Sequence, residues 1–140
     1  DYTLHFDGSV GPKNPGLTGG YGFVIQIDGK ICYEESGALA GQIISNNYAE
    51  FHAVYKGLEV LNTMAVKGDR VFVRGDSQLV INMMNGKFKG KETSIYWPAF
   101  EKAKNSLKSF RNKYIPISFD WVPREMNSKA DKLADYKTAC

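Results

Sequence analysis

Four carboxylates in this chain of 140 residues stand where regular segments end or begin. Asp7 closes Leu4-His5-Phe6 and leads into Gly8-Ser9, while Asp76 closes Val71-Phe72-Val73-Arg74-Gly75 and leads into Ser77-Gln78. Each is an acid at the tip of an apolar strand, followed by a small polar residue. A carboxylate placed there is useful chiefly for holding a cation or polarising a substrate. Glu50 and Asp131 stand in the first turns of two expected helices, Glu50 on the face of Val54, Leu58 and Leu61. A helix dipole also explains an acid in that position, at about 0.3–1 kcal/mol, so neither residue decides anything alone. Together, four carboxylates at one end of one sheet would repel and raise each other's pKa unless cations sat among them. Oxygen-only ligands suit Mg²⁺ or Mn²⁺ better than zinc.

The elements that position these acids follow from hydrophobic period and turn chemistry. Residues 2 to 6 read as a strand, and Gly11 to Gly20 as a loop. Tyr21 to Ile27 alternates as a strand, Asp28-Gly29 is a two-residue hairpin signal, and Lys30 to Gly37 returns. A further strand over Ser36 to Ile43 is left open. Ser45-Asn46-Asn47 offers N-cap chemistry to a helix over 48 to 64. A strand over 71 to 75 leads to a short helix from Ser77 to Met84, stopped by Asn85-Gly86. A second helix is expected from Ser94 to Arg111 and a strand from Tyr114 to Val122; Asn127 or Ser128 then caps a last helix. The order β-β-β-α-β-α-α-β-α implies one α/β domain over residues 1–140, a mixed sheet with helices packed on its faces.

Composition narrows the functional classes. A hydrophobic fraction of 43% with 24% charged residues suits a globular domain, and no stretch approaches the roughly 20 apolar residues of a membrane span. No signal-peptide pattern is present, and a start at Asp1 rather than Met suits an excised domain. Cys32 and Cys140 make neither a disulfide framework nor a zinc spacing, so a reducing, cytoplasmic setting is expected. Residues 87 to 113 hold eight basic and two acidic side chains, +6 by themselves, which leaves −3 elsewhere in a chain of net charge +3. That asymmetry suits a protein that grips phosphates with one part and metal with another, although a solvated lysine-rich helix face explains it equally.

Five stretches in order resemble a type 1 ribonuclease H. They are Phe6-Asp7-Gly8-Ser9; Asn14-Pro15-Gly16 with Gly19-Gly20-Tyr21-Gly22; Ser45 to Glu50; Gly75-Asp76-Ser77-Gln78; and Asn127 to Ala134. The resemblance implies a ribonuclease H-like fold with a mixed five-stranded sheet, an antiparallel meander followed by parallel strands. It implies hydrolysis of the RNA strand of RNA–DNA hybrids, leaving 5′-phosphate and 3′-hydroxyl ends. Asp7, Glu50, Asp76 and Asp131 would hold two Mg²⁺ ions, with Mn²⁺ as a substitute. Asn14, Asn46, Asn47 and Gln78 match positions that line the minor groove of the substrate, where amides can meet 2′-hydroxyls without demanding a sequence. For Asn46 and Asn47 helix capping is the competing role. The glycines at 16, 19, 20 and 22 read as turn and bulge residues, since no P-loop lysine accompanies them.

The chain departs from the family pattern twice. The loop before the last acid reads Val122-Pro123-Arg124-Glu125-Met126, with no histidine, and is similar to an archaeal-like subgroup in which an arginine takes over the loop's role. Arg124 stays protonated near neutral pH and cannot be a general base; it can stabilise phosphate charge, help product leave, or simply pair with Glu125 or Asp120. His5 and His52 read as structural or surface residues. The lysine- and tryptophan-rich helix that grips DNA in several family members is replaced by Gly86-Lys87-Phe88-Lys89-Gly90-Lys91, where Lys87 and Lys89 are left to meet DNA phosphates. The expected partner is RNA–DNA hybrid bound by a monomer, with no membrane. Cleavage of double-stranded RNA as well, or a non-catalytic nucleic-acid-binding module of the same fold, remain the alternatives.

Overall fold

Alternation along β1 (Tyr2–Val10) turns Leu4, Phe6 and Gly8 to one face of the sheet and His5 and Asp7 to the other, so both faces of this strand are covered. The computed structural model describes residues 1–135, and Cys140 lies outside them. β1 pairs antiparallel with β2 (Gly16–Ile27), which pairs antiparallel with β3 (Lys30–Ile44). On its other side β1 runs parallel to β4 (Val71–Gly75), itself parallel to β5 (Ile117–Trp121). The order β3-β2-β1-β4-β5 is the mixed five-stranded sheet expected, and helices cover both faces.

On one face α1 (Asn46–Met64) lies over β1 and packs against α3 (Trp97–Asn112), enclosing a core that includes Leu4, Phe51, Leu58, Leu61 and Phe100. The short α2 (Gln78–Met84) follows β4. On the opposite face, a 3-10 turn over Arg124–Asn127 leads into α4 (Ser128–Ala134), packed on β1 and β2. Among the described residues, no helix is long and apolar enough to cross a membrane.

Several boundaries differ from the sequence reading, each for a local reason. The loop expected over 11 to 20 ends early because β2 begins at Gly16; Gly19, Gly20 and Gly22 sit in that strand rather than in turns. The open question of a separate strand over 36 to 43 resolves as one continuous β3, with Gly37 opposite Tyr21 in register. α3 starts at Trp97 rather than Ser94 because Pro98, with its fixed φ and missing N–H, suits a first turn. β5 starts at Ile117, after Tyr114 at φ 58° and Pro116.

Candidate active site

The acids converge because of strand register and two close helix contacts. His5 pairs with Arg74 in the parallel β1–β4 ladder, and two further residues along each chain bring Asp7 beside Asp76. The expected strand-end position holds for Asp76, just past β4, but not for Asp7, because β1 runs on to Val10 against β2. The acids meet where the parallel β1–β4 pairing stops, beside the antiparallel pairing that continues, the kind of crevice where α/β sheets bind ligands. Gly8 lets α1 approach: a Cβ there would collide with the backbone of Ala49 and Glu50. Gly22 does the same for α4, since its Cβ would run into Leu133 and Ala134, two and three residues beyond Asp131. Gly22, read as a turn or bulge residue, thus sets a helix-to-sheet distance.

Asp7, Glu50 and Asp76 each offer a carboxylate oxygen within 4.8 Å of the others. Asp131 and Arg124 line the same cleft of about 260 Å³, and Arg124 Nη2 lies 3.4 Å from Asp131 Oδ1. Arg124 therefore pairs with an acid of the cleft, not with Glu125 or Asp120. The dipole account of Glu50 is corrected: Ser45 is the N-cap of α1, accepting from Tyr48 N–H at 3.1 Å, so Glu50 falls in the second turn. Asp131 does lie in the first turn of α4.

Electrostatics in the cleft favour neutral acids unless positive charge is supplied. Burial pushes the Glu50 carboxyl up to about 8, with the charge of Asp76 adding and a hydrogen bond with Ser77 opposing. Asp7, only 5% exposed, is raised well above the usual carboxylate range, first by burial, then by its hydrogen bond with Asp131, then by Asp76 and Glu50. The Gly8 N–H, 2.9 Å from Asp7 Oδ1, works the other way. Asp76 is raised by burial and by Asp131, while its own backbone N–H and Arg124 oppose. An all-oxygen donor set with such strained ionisation fits hard divalent cations.

The other expected residues are more dispersed. Asn46 lines the cleft, and its backbone N–H donates to Asn14 Oδ1 at 3.1 Å, which draws the loop after β1 onto the start of α1. Because Ser45 is the cap, neither Asn46 nor Asn47 spends its side chain on capping, and the competing role for them is set aside. Gln78 is exposed at the start of α2, two residues from Asp76. Lys87 and Lys89 are exposed on the loop after α2; Lys89 borders a second groove and neither borders the acidic cleft.

Neither histidine takes part. His52 sits among the rings of Tyr21, Tyr48 and Tyr55, while His5 meets Asn127. Three contributors escaped the sequence reading. Ser77 caps α2 by accepting from Val80 N–H and also reaches Glu50. Trp121 Nε1 donates to Asp76 O at 3.0 Å, tying β5 to the β4–α2 turn. Asn127 or Ser128 was expected to cap α4; Asn127 holds the cap position, yet its side chain makes no cap bond and donates instead to Phe6 O. Only Ser77 carried a local signal, a small polar residue after a strand-end acid.

Comparison with known proteins agrees with this geometry. The family model described as Reverse transcriptase-like matches residues 5–137. The bifunctional protein Rv2228c of Mycobacterium tuberculosis is 31% identical over 123 residues, which is 87% of this chain and 31% of that protein. The chain therefore spans under a third of the length of that curated relative. RNase H1 from the halophilic archaeon Halobacterium salinarum superposes with a TM-score of 0.79 at 30% identity, covering 95% of this chain and 93% of that one. LC11-RNase H1, isolated from compost by a metagenomic approach and solved in complex with an RNA/DNA hybrid, gives a TM-score of 0.81 at 29% identity and covers 100% of both chains. The chain belongs to the Reverse transcriptase-like family, as a ribonuclease H-like domain.

Proposed function

We propose that this chain is a metal-dependent endoribonuclease that hydrolyses the RNA strand of RNA–DNA hybrids to 5′-phosphate and 3′-hydroxyl products. The observation that carries the reading is the meeting of three carboxylates within 4.8 Å, Asp7 in β1, Asp76 just past β4 and Glu50 on α1, with a fourth acid and an arginine in the same cleft. Asp7, Glu50, Asp76 and Asp131 are the residues that would hold two Mg²⁺ ions, with Mn²⁺ as the substitute. Such a pair supplies an activated water and stabilisation of the leaving 3′ oxygen.

The protein's own groups do the rest. Asp7 and Glu50 accept metal more readily than protons only when cations offset their burial, so the cleft selects for positive charge. Arg124 keeps its guanidinium at the mouth, held through Asp131, where it offsets phosphate charge and does not act as a base. Asn14, joined to the start of α1, together with Asn46, Asn47 and Gln78, offers amide donors and acceptors to 2′-hydroxyls beside the cleft. Lys87 and Lys89 meet the backbone of the DNA strand. The enzyme acts as a monomer.

One gel tests the reading. End-labelled RNA–DNA hybrid, double-stranded RNA and single-stranded RNA are incubated with Mg²⁺, Mn²⁺ or EDTA, beside Asp76→Asn. Metal-dependent cleavage of hybrid by wild type, lost in Asp76→Asn, is expected. Equal cleavage by both proteins removes the metal-site assignment; no cleavage of any substrate leaves a binding module, and cleavage of duplex RNA widens the substrate class.

A further inference from the structure

Among the described residues, two polar or charged residues are buried: Asp7, at 5% exposure, and Asn127, at 1%. The first is accounted for by the acidic cleft. The second lies outside its lining, yet both ends of its amide are used on the strand that carries Asp7. Asn127 Nδ2 donates to Phe6 O at 2.8 Å, one residue before that acid, and Oδ1 accepts from His5 Nδ1–H at 3.3 Å. The β1–β4 ladder ends at His5 opposite Arg74, so the amide takes hold where pairing with β4 stops while pairing with β2 continues.

Asn127 also divides the segment that serves the cleft from the opposite face. Arg124 stands three residues before it and Asp131 four after, and those two pair across the turn. As the N-cap of α4, Asn127 would ordinarily accept a first-turn N–H, a bond worth about 1 kcal/mol; it makes none. Packing around the turn is incomplete on one side, where His5, Met126, Asn127 and Ser128 border an open pocket of about 190 Å³. Gly22 sets how closely the later part of α4 lies on β2, and the polar clamp fixes its start, with the 3-10 turn, on β1.

We infer that Asn127, oriented by His5, is a positioning residue that fixes Asp131 and Arg124 against Asp7. The inference rests on the proposed nuclease reading, and its consequence is specific. Losing the clamp should blur the spacing of the acids while leaving the outer substrate contacts untouched, and metal sites tolerate only about 0.5 Å of such error.

The test compares Asn127→Ala, His5→Leu and His5→Asn in the whole chain by hybrid cleavage with Mg²⁺ and by calorimetric titration of Mn²⁺ without nucleic acid. Asn127→Ala should lower kcat about 10- to 100-fold, hold KM within about twofold and weaken Mn²⁺ binding. His5→Leu should fall in the same direction by less. His5→Asn, whose Nδ2 can occupy the place of Nδ1, should recover most of the loss. Unchanged Mn²⁺ affinity in both Asn127→Ala and His5→Leu overturns the inference, as does His5→Asn being impaired as much as His5→Leu. If Asn127→Ala does not fold, the two His5 variants decide. If wild type cleaves nothing, the nuclease reading fails, and the Mn²⁺ titrations still decide the clamp.

Discussion

The acidic cleft and the basic groove are built in opposite ways. The cleft draws on residues 7, 50, 76 and 131, from two strands or their ends and two helices on opposite faces of the sheet, and Asp7, Glu50 and Asp76 are pushed toward neutrality by burial. The groove, about 580 Å³ between the end of α2, the following loop and α3, is local in sequence. Its apolar floor includes Met83, Trp97 and Leu107, and its cations Lys89, Lys104, Lys108 and Arg111 are exposed. Charge held in low dielectric is strongly coupled and geometry-dependent; charge held in water is screened and tolerant of displacement. The cleft should therefore respond to single-atom changes, whereas the groove should respond to salt.

The largest effect tests the coupling directly. Asp7→Asn should lower hybrid cleavage by at least about 100-fold, since even residues that only orient metal ligands cost that much. The same variant should raise the urea midpoint in EDTA at pH 8, because a neutral amide relieves the repulsion of Glu50 and Asp76. A midpoint below wild type would contradict the repulsion. Arg124→Ala should come next, slowing kcat about tenfold with KM little changed. An unchanged kcat would return Arg124 to a surface ion pair with Asp131.

On the other side of the comparison, Lys89→Ala should raise KM a few-fold without altering kcat, and should flatten the dependence of log affinity on log salt by about 0.9. A kcat defect there would erase the distinction between the two regions. The smallest effect concerns pH. Glu50 has a folded-state value of about 8 against its ordinary 4.5, so protons bind the folded state more tightly. Its contribution to stability is complete below about 4.5 and is lost as pH rises toward about 8. In EDTA the thermal midpoint should drop by several degrees between pH 5 and pH 8, and Mg²⁺ should remove most of the drop. A midpoint flat across that window in EDTA would mean that Glu50 is not confined as described.

The sequence reading located the regular elements where local signals agreed. The Asp28-Gly29 hairpin, the apolar face of α1 and the cap chemistry of Ser45 before α1 all depend on neighbours within a few residues. It missed side-chain roles where a residue's usual local meaning yielded to a distant contact. Gly22 was read as a turn or bulge residue and lies under α4; Asn127 was read as a cap and is bonded to β1, 121 residues away in sequence. Glu50 lost its first-turn account because Ser45, not the asparagines after it, starts α1.

From its sequence alone, then, the chain declares its strand–helix order and its four candidate acids, because period, capping and strand-end placement are short-range properties. The tertiary structure alone decides that Asp7, Glu50 and Asp76 share one small space, that Arg124 faces Asp131, and that Asn127 holds their segment to β1. Those facts depend on how closely α1 and α4 can press on the sheet, through Gly8 and Gly22, and on which buried polar groups find partners once they do.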